Sequence, residues 1–267
     1  GTNFIFGFVN GVVSAMIALA ILPYFESLFK ITTNQTLLEL SNLNHPLLKR
    51  LMVNAPGTYQ HSLMVANLAE AAADAIQANS ILCRVGSYFH DIGKLKRPIF
   101  FIENQFSKNN PHEKLTARMS KFIITSHTKE GHQMAIKHKL PLVIQDIILE
   151  HHGTSLLSVF YNKAVYTDKF DSAKKSSFRY PGPKPKTKES GILMLADSVE
   201  AATRSIEKPT PTKIEAMINK IFKAKLNDGQ LLECPLSFQE ISVIKNTFLE
   251  LFKGMQHNRT DYEKDIN

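Results

Sequence analysis

The chain has no tryptophan, only two cysteines and, from Gly1 to Phe25, no charged side chain. Cys83 and Cys234 lie far apart and form no CxxC pair. That excludes a disulfide framework and fits a reducing compartment. Glycine and proline number 12 each among 267 residues, too few for a low-complexity chain. Alternation of apolar and polar residues with period two does not persist anywhere, and no internal repeat is found. An all-α fold is therefore expected, in one large domain or one domain with an appendage. The net charge of +8 suits an anionic partner, although lysines that only keep the surface soluble give the same count. The basic residues gather at Lys174-Lys175 and at Lys184, Lys186 and Lys188, without a long tract or a nucleic-acid motif beside them, so no nucleic acid polymer is expected as partner.

The uncharged start, FIFGFVNGVVSAMIALAILPYF, has the length of a membrane span, about 20 residues, and lacks the basic region of a signal peptide. Asn3, Asn10 and Ser14 leave a buried amphipathic helix as the alternative. Lys30, Lys49 and Arg50 follow closely, with Glu26 and Glu39 between, so the positive-inside tendency puts the remainder in the cytoplasm of a cell-membrane protein. The expected division is a transmembrane helix over 1–28, the last of a larger membrane protein, then a helical linker over 29–54, a helical domain over 55–256 and a polar tail over 257–267.

Within the domain, Asn54-Ala-Pro-Gly57 reads as a turn and Thr58 as the cap of a helix with His61 in its first turn. A second helix over about 81–92 stops at Gly93 and carries His90 and Asp91 at its end. A third runs over about 111–126 and ends near His127. A fourth starts with Pro141 and ends in His151-His152 before Gly153. Residues 161–190 are polar and read as a long loop. Helix resumes near Glu189 with Asp197 inside the apolar run ILMLADSVEAA, and two more helices are expected over about 212–226 and 237–254. A buried carboxylate needs a charge, a hydrogen bond or a metal. Alone, His90-Asp91 is as well explained by a hydrogen-bonding role, His151-His152 by surface histidines, and His127 by a polar cap. Two helices that each deliver adjacent ligand-type residues before a glycine favour metal binding. Imidazole and carboxylate without thiolate suit iron, manganese or zinc. Lys94 reads either as a solvated cation at a helix end or as an ammonium that holds a phosphate beside the metals. His45, His112, His132, His138 and His257 have no partner pattern.

The order His61, His90-Asp91, His127, His151-His152, Asp197 resembles the HD-domain metal phosphohydrolases. The local text is more specific. APGTYQHS (55–62), HDIGKLKRP (90–98), FFIEN (100–104), HHGT (151–154), FRYPGPKP (178–185) and ESGILMLADSVEAATRS (189–205) resemble the seven-transmembrane HD family of cyclic-di-AMP phosphodiesterases. The resemblance covers nearly the whole chain. HD-GYP enzymes, which cleave cyclic di-GMP, follow their histidine doublet with Glu and a DGxGYP run. Here Gly153-Thr154-Ser155-Leu156 follows instead.

The resemblance implies an HD-domain helical bundle behind a transmembrane helix and a two-metal phosphodiesterase that converts cyclic di-AMP to linear 5′-pApA. Two divalent ions, iron or manganese, would be held by His61, His90, Asp91 and Asp197 and by Asp91, His127, His151 and His152, with Asp91 shared. Asp91 and Lys94 would be catalytic. Lys94 and, more speculatively, Arg179 would contact the substrate phosphates. The implied partners are cyclic di-AMP, the membrane through the first helix, and in some arrangements a second copy of the chain. A one-metal HD hydrolase of another nucleotide and a non-catalytic membrane-coupled nucleotide sensor are the alternatives.

Overall fold

The computed structural model describes residues 1–29, 31–105, 109–166 and 174–264. Among them are eleven α-helices and no strand, as the missing period-two pattern requires. The first helix, α1 (Thr2–Phe29), is long and apolar enough to cross a membrane over Thr2–Glu26, and none of that stretch is buried against the rest of the chain.

The segment expected as a linker is part of the core. It forms α2 (Asn34–Leu40) and α3 (Pro46–Asn54), and Leu37, Leu47, Leu48 and Leu51 are all buried. Burial of a leucine contributes about 1.5–3 kcal/mol, which is why this stretch folds onto the domain and does not run free. The carboxylate of Glu26 ties α1 to α2, accepting from the Thr33 N–H (3.1 Å) and the Thr36 hydroxyl (2.8 Å).

α4 (Pro56–Ala75) starts at Pro56, where the missing N–H costs nothing in a first turn. Thr58 is therefore inside the helix and does not cap it. Its N–H donates to Asn104 Oδ1 (3.1 Å) and its hydroxyl to Glu103 Oε1 (3.0 Å), so the cap is supplied from a distant turn, Ile102–Asn104. Small buried residues, Ala66, Ala69, Ala72 and Ala73, let α5 (Ser80–Phe89) and α9 (Lys188–Arg204) pack close to α4. The centre of α9 touches α4, α5, α7 (Leu142–Glu150) and α10 (Pro211–Asn227), and Ile192 to Asp197 are all buried. Enclosure on every side explains its continuous apolar run where a surface helix would show a stripe.

Two apolar clusters flank the site. One joins α4, α9, α10 and α11 (Phe238–Lys264) through residues such as Leu68, Leu195, Phe222 and Phe248. The other joins α2, α3, α5 and α7 through Leu37, Leu48, Phe89 and Ile148. α5 ends at Phe89 and a tight 3-10 turn begins at Ile92. Both of these residues are fully buried, so they anchor His90 and Asp91 between them. Gly93 lies so close to the helix that carries His127 that an added Cβ would run into the carbonyl oxygen of His127.

α6 (Ala117–Lys137) starts at the Thr116 cap and runs well past its expected end, which puts His127 in mid-helix. The expected loop over 161–190 overlaps the end of α8 (Ser158–Tyr166) and the start of α9 and holds a 3-10 turn over Lys175–Phe178, while 167–173 lie outside the described residues. α11 continues to Lys264, so the expected tail begins inside a helix, and 265–267 lie outside the described residues. Gly153 takes a positive φ of 53° and turns the chain directly after His151-His152.

Candidate metal centre

Five helices deliver the seven residues of the HD-type pattern to one buried place. His61 comes from α4, His90 and Asp91 from the end of α5, His127 from α6, His151 and His152 from the end of α7, and Asp197 from α9. They fall into two groups whose ligand-type atoms lie within 4.8 Å of one another: His61, His90 and Asp197 in one, Asp91, His127, His151 and His152 in the other.

Asp91 stands between the groups, and its two oxygens face opposite ways. Oδ2 is 3.3 Å from His90 Nε2 and 3.7 Å from His61 Nε2. Oδ1 is 3.3 Å from His127 Nε2 and 3.7 Å from His151 Nε2. Asp197 Oδ1 lies 3.0 Å from His61 Nε2, and its Oδ2 lies 3.4 Å from His152 Nδ1. Each of three histidines is oriented through Nδ1 by the carbonyl three residues before it: His90 by Ser87 (2.7 Å), His127 by Ile124 (2.6 Å) and His151 by Ile148 (2.8 Å). A proton held on Nδ1 leaves the Nε2 lone pair directed inward. His61 Nδ1 meets the Glu200 carboxylate instead.

His90 Nε2 and Asp91 Oδ1 are buried and make no hydrogen bond among the described residues, and Asp91 Oδ2 has the Lys94 ammonium close by. Orphaned polar atoms at the meeting point of five imidazoles and two carboxylates fit divalent cations, which would satisfy all of them at once. Electrostatics favour anionic carboxylates here. Burial would raise the Asp91 pKa, but Lys94 and His90 hold it well below the ordinary range. Burial would depress His90, yet the carboxylates of Asp91 and Asp197 raise it to about 10, a pull toward positive charge that a cation would answer in the proton's place, whereas burial drives His127 down to about 3.

Lys94 does not point freely at solvent. Its ammonium is 2.6 Å from Asp91 Oδ2 and 2.7 Å from Glu103 Oε1, with the Phe101 ring 5.0 Å away. Arg179 is engaged elsewhere: Nη1 and Nη2 grip Asp228 (2.9 and 2.6 Å) and Nη1 also donates to Thr154 O (2.6 Å). It is absent from the residues that line the cavity described next.

That cavity, about 710 Å³, opens directly on the cluster. His61, His127, His152 and Asp197 lie on its floor with Lys94, and Phe100, Phe101, Leu156 and Phe160 on its apolar wall. Tyr180 stacks on His152 (4.3 Å between centroids) and Phe101 meets His127 edge-on (5.6 Å). His112, which has no pattern in the sequence, is a cavity residue, packed between Phe100 and Phe160. Glu200 and Glu103 fall inside two of the stretches that carry the family resemblance, but sequence reasoning gave neither a role. The one available signal for Glu200 is its place one turn after Asp197 on the same helix face.

Residues 58–202 match the HD domain family model, and residues 1–33 match a model described as a 7TM receptor with intracellular HD hydrolase. The chain is 49% identical over 262 residues to the cyclic-di-AMP phosphodiesterase PgpH of Bacillus subtilis and 47% identical over 260 residues to that of Listeria monocytogenes. These alignments cover 98% and 97% of this chain but 37% and 36% of the relatives, so the chain spans little more than a third of their length. A crystal structure of the L. monocytogenes PgpH HD domain in complex with cyclic-di-AMP superposes with a TM-score of 0.78 at 50% identity, covering 80% of this chain and 99% of that one.

Proposed function

The chain belongs to the HD domain family, and on that premise we propose that it is a membrane-anchored two-metal phosphodiesterase that hydrolyses cyclic di-AMP to linear 5′-pApA. The observation that carries the proposal is Asp91, whose two oxygens face two separate histidine groups on the floor of a cavity of ligand size. The relatives support the substrate: the B. subtilis and L. monocytogenes relatives bear the name cyclic-di-AMP phosphodiesterase, and the superposed HD domain was crystallised with that nucleotide. The missing DGxGYP run points the same way.

His61, His90 and Asp197 would hold one cation, His127, His151 and His152 the other, and Asp91 both. Iron or manganese suits this donor set of imidazole and carboxylate. Such cations, when bound, supply Lewis acidity toward a phosphoryl group and make water nucleophilic at neutral pH. The chain's own residues do the rest. Asp91 fixes the spacing of the two groups. Lys94 uses two of its three N–H donors on Asp91 and Glu103, which leaves one for a phosphoryl oxygen in the cavity. Tyr180 and Phe101 hold the imidazoles in place and exclude water from one side. The wall formed by Phe100, Leu156 and Phe160 offers apolar faces for an adenine ring. Arg179 is not given a phosphate here, because its guanidinium is committed to Asp228. In this reading α1 spans the cell membrane and the domain faces the cytoplasm.

Chromatographic product analysis on manganese- or iron-loaded chain tests the proposal. Cyclic di-AMP should give pApA with kcat/KM clearly above that for cyclic di-GMP. Equal or reversed preference would overturn the substrate, and tight binding without turnover would make the protein a sensor.

A further inference from the structure

We infer that Glu200 is a positioning residue that makes the two cation sites unequal, strengthening the one built on His61. The inference rests on the two-metal reading above and goes beyond it. Three of the histidines lean on neutral carbonyls, each three residues back in its own helix, at 2.6–2.8 Å. Of the four histidines that turn Nε2 toward Asp91, His61 alone leans through Nδ1 on a charge among the described residues. Its Nδ1 meets Glu200 Oε2 across 139 residues of sequence, and Glu200 is 7% exposed. An anionic partner fixes the tautomer as a carbonyl does, but it also makes Nε2 a stronger donor. Partners of this kind typically change metal affinity by about 10–100-fold.

The helix geometry explains why this carboxylate reaches only one site. Asp197 and Glu200 are separated by one turn of α9 and share a face. Asp197 reaches His61 Nε2 from one side of the ring while Glu200 holds Nδ1 from the other. The second oxygen of Glu200 is balanced by Arg204 Nη1 at 3.3 Å, one turn further along. Arg204 lines the cavity, so the relay His61–Glu200–Arg204 runs from the cluster to its rim. Among the described residues no acidic group takes the corresponding place behind His90, His127 or His151, where backbone fills it.

The test uses the whole chain in detergent, stripped with chelator and titrated with Mn²⁺ by calorimetry. Wild type should bind in two steps. Glu200→Gln keeps an acceptor of the same shape and removes the charge. It should weaken one step by about 10–100-fold and leave the other unchanged. His61→Ala should retain a single step, and adding Glu200→Gln to it should leave that step as it was. Arg204→Ala frees the carboxylate from its counter-charge and should tighten the same step that Glu200→Gln weakens. This variant decides the matter if Glu200→Gln does not fold, because a purely structural role predicts weakening. Unchanged steps in Glu200→Gln, equal weakening of both, or weakening of the step that survives in His61→Ala would each overturn the inference with the two-metal reading intact. A wild-type chain that takes up fewer than two ions would remove both.

Discussion

Lys94 closes on Asp91 from the turn that follows it, with Nζ 2.6 Å from Oδ2, and the pair is buried. Burial works against the ammonium, but Asp91 and Glu103 outweigh it and hold the Lys94 pKa above its ordinary value. The cation is therefore permanent, and it touches the carboxylate shared by the two histidine groups. The sequence offers Lys94 either as a solvated cation at a helix end or as an ammonium that holds a phosphate beside the metals. The structure gives it both a carboxylate partner and a place on the cavity floor.

Lys94→Ala should lower kcat/KM for cyclic di-AMP by about 100–1000-fold, the cost of one preorganised charge-stabilising donor. Two metals per chain should remain, since all seven ligand-type residues remain. Lys94→Arg should rescue only partly, because a planar fork cannot meet Asp91 Oδ2, Glu103 Oε1 and a phosphoryl oxygen as a compact ammonium does. Steady-state kinetics with parallel elemental analysis decides this. Wild-type kinetics in Lys94→Ala would leave Lys94 a structural ion-pair partner only.

The boundary of the domain is open to truncation. Removal of 1–28 takes away an apolar helix that none of the core covers, and should give a more soluble chain that still binds metal. Removal of 1–54 also strips Leu37, Leu47, Leu48 and Leu51 from the core, at about 1.5–3 kcal/mol each. That chain should unfold at a much lower temperature or fail to fold. Circular dichroism melts of both compare the two, and equal stability would restore 29–54 to a mere linker.

Gly93→Ala should be destabilising beyond its size. The new methyl would meet the His127 carbonyl, backbone against which nothing can rotate away. Overpacking of this kind costs about 1–3 kcal/mol, and here it would push α6 and His127 off the His90-Asp91 turn. Thermal melting and metal content should fall together. An unshifted melt would show that the turn has slack.

The ligand pattern was legible in the sequence because each of its parts is local. His90-Asp91 before Gly93 and His151-His152 before Gly153 are written at helix ends, and Asp197 stands out as a carboxylate in an apolar run. The helices α4 to α7 and α9 to α11 were legible in their order for the same reason, from 3.6-residue periodicity, whereas α2 and α3 read as one linker and α8 read as loop. What depends on distant partners was not. Glu200 serves His61 from 139 residues away, Glu103 serves Lys94 and Thr58, and Tyr180 covers His152 from a stretch that reads as loop. The length of α6 also escaped, because Ser126-His127-Thr128 reads as a polar stop while its His127 and Thr128 are buried by packing.

The central claim is that both cation sites, joined through Asp91, are needed for cleavage of cyclic di-AMP. It is tested most directly by following pApA formation while metal-free chain is titrated with Mn²⁺ or, without oxygen, with Fe²⁺. Product should appear only as the second equivalent per chain is filled, and Asp91→Ala should bind neither ion and form none. Full turnover at one equivalent, or two tightly held metals in Asp91→Ala, would contradict the account.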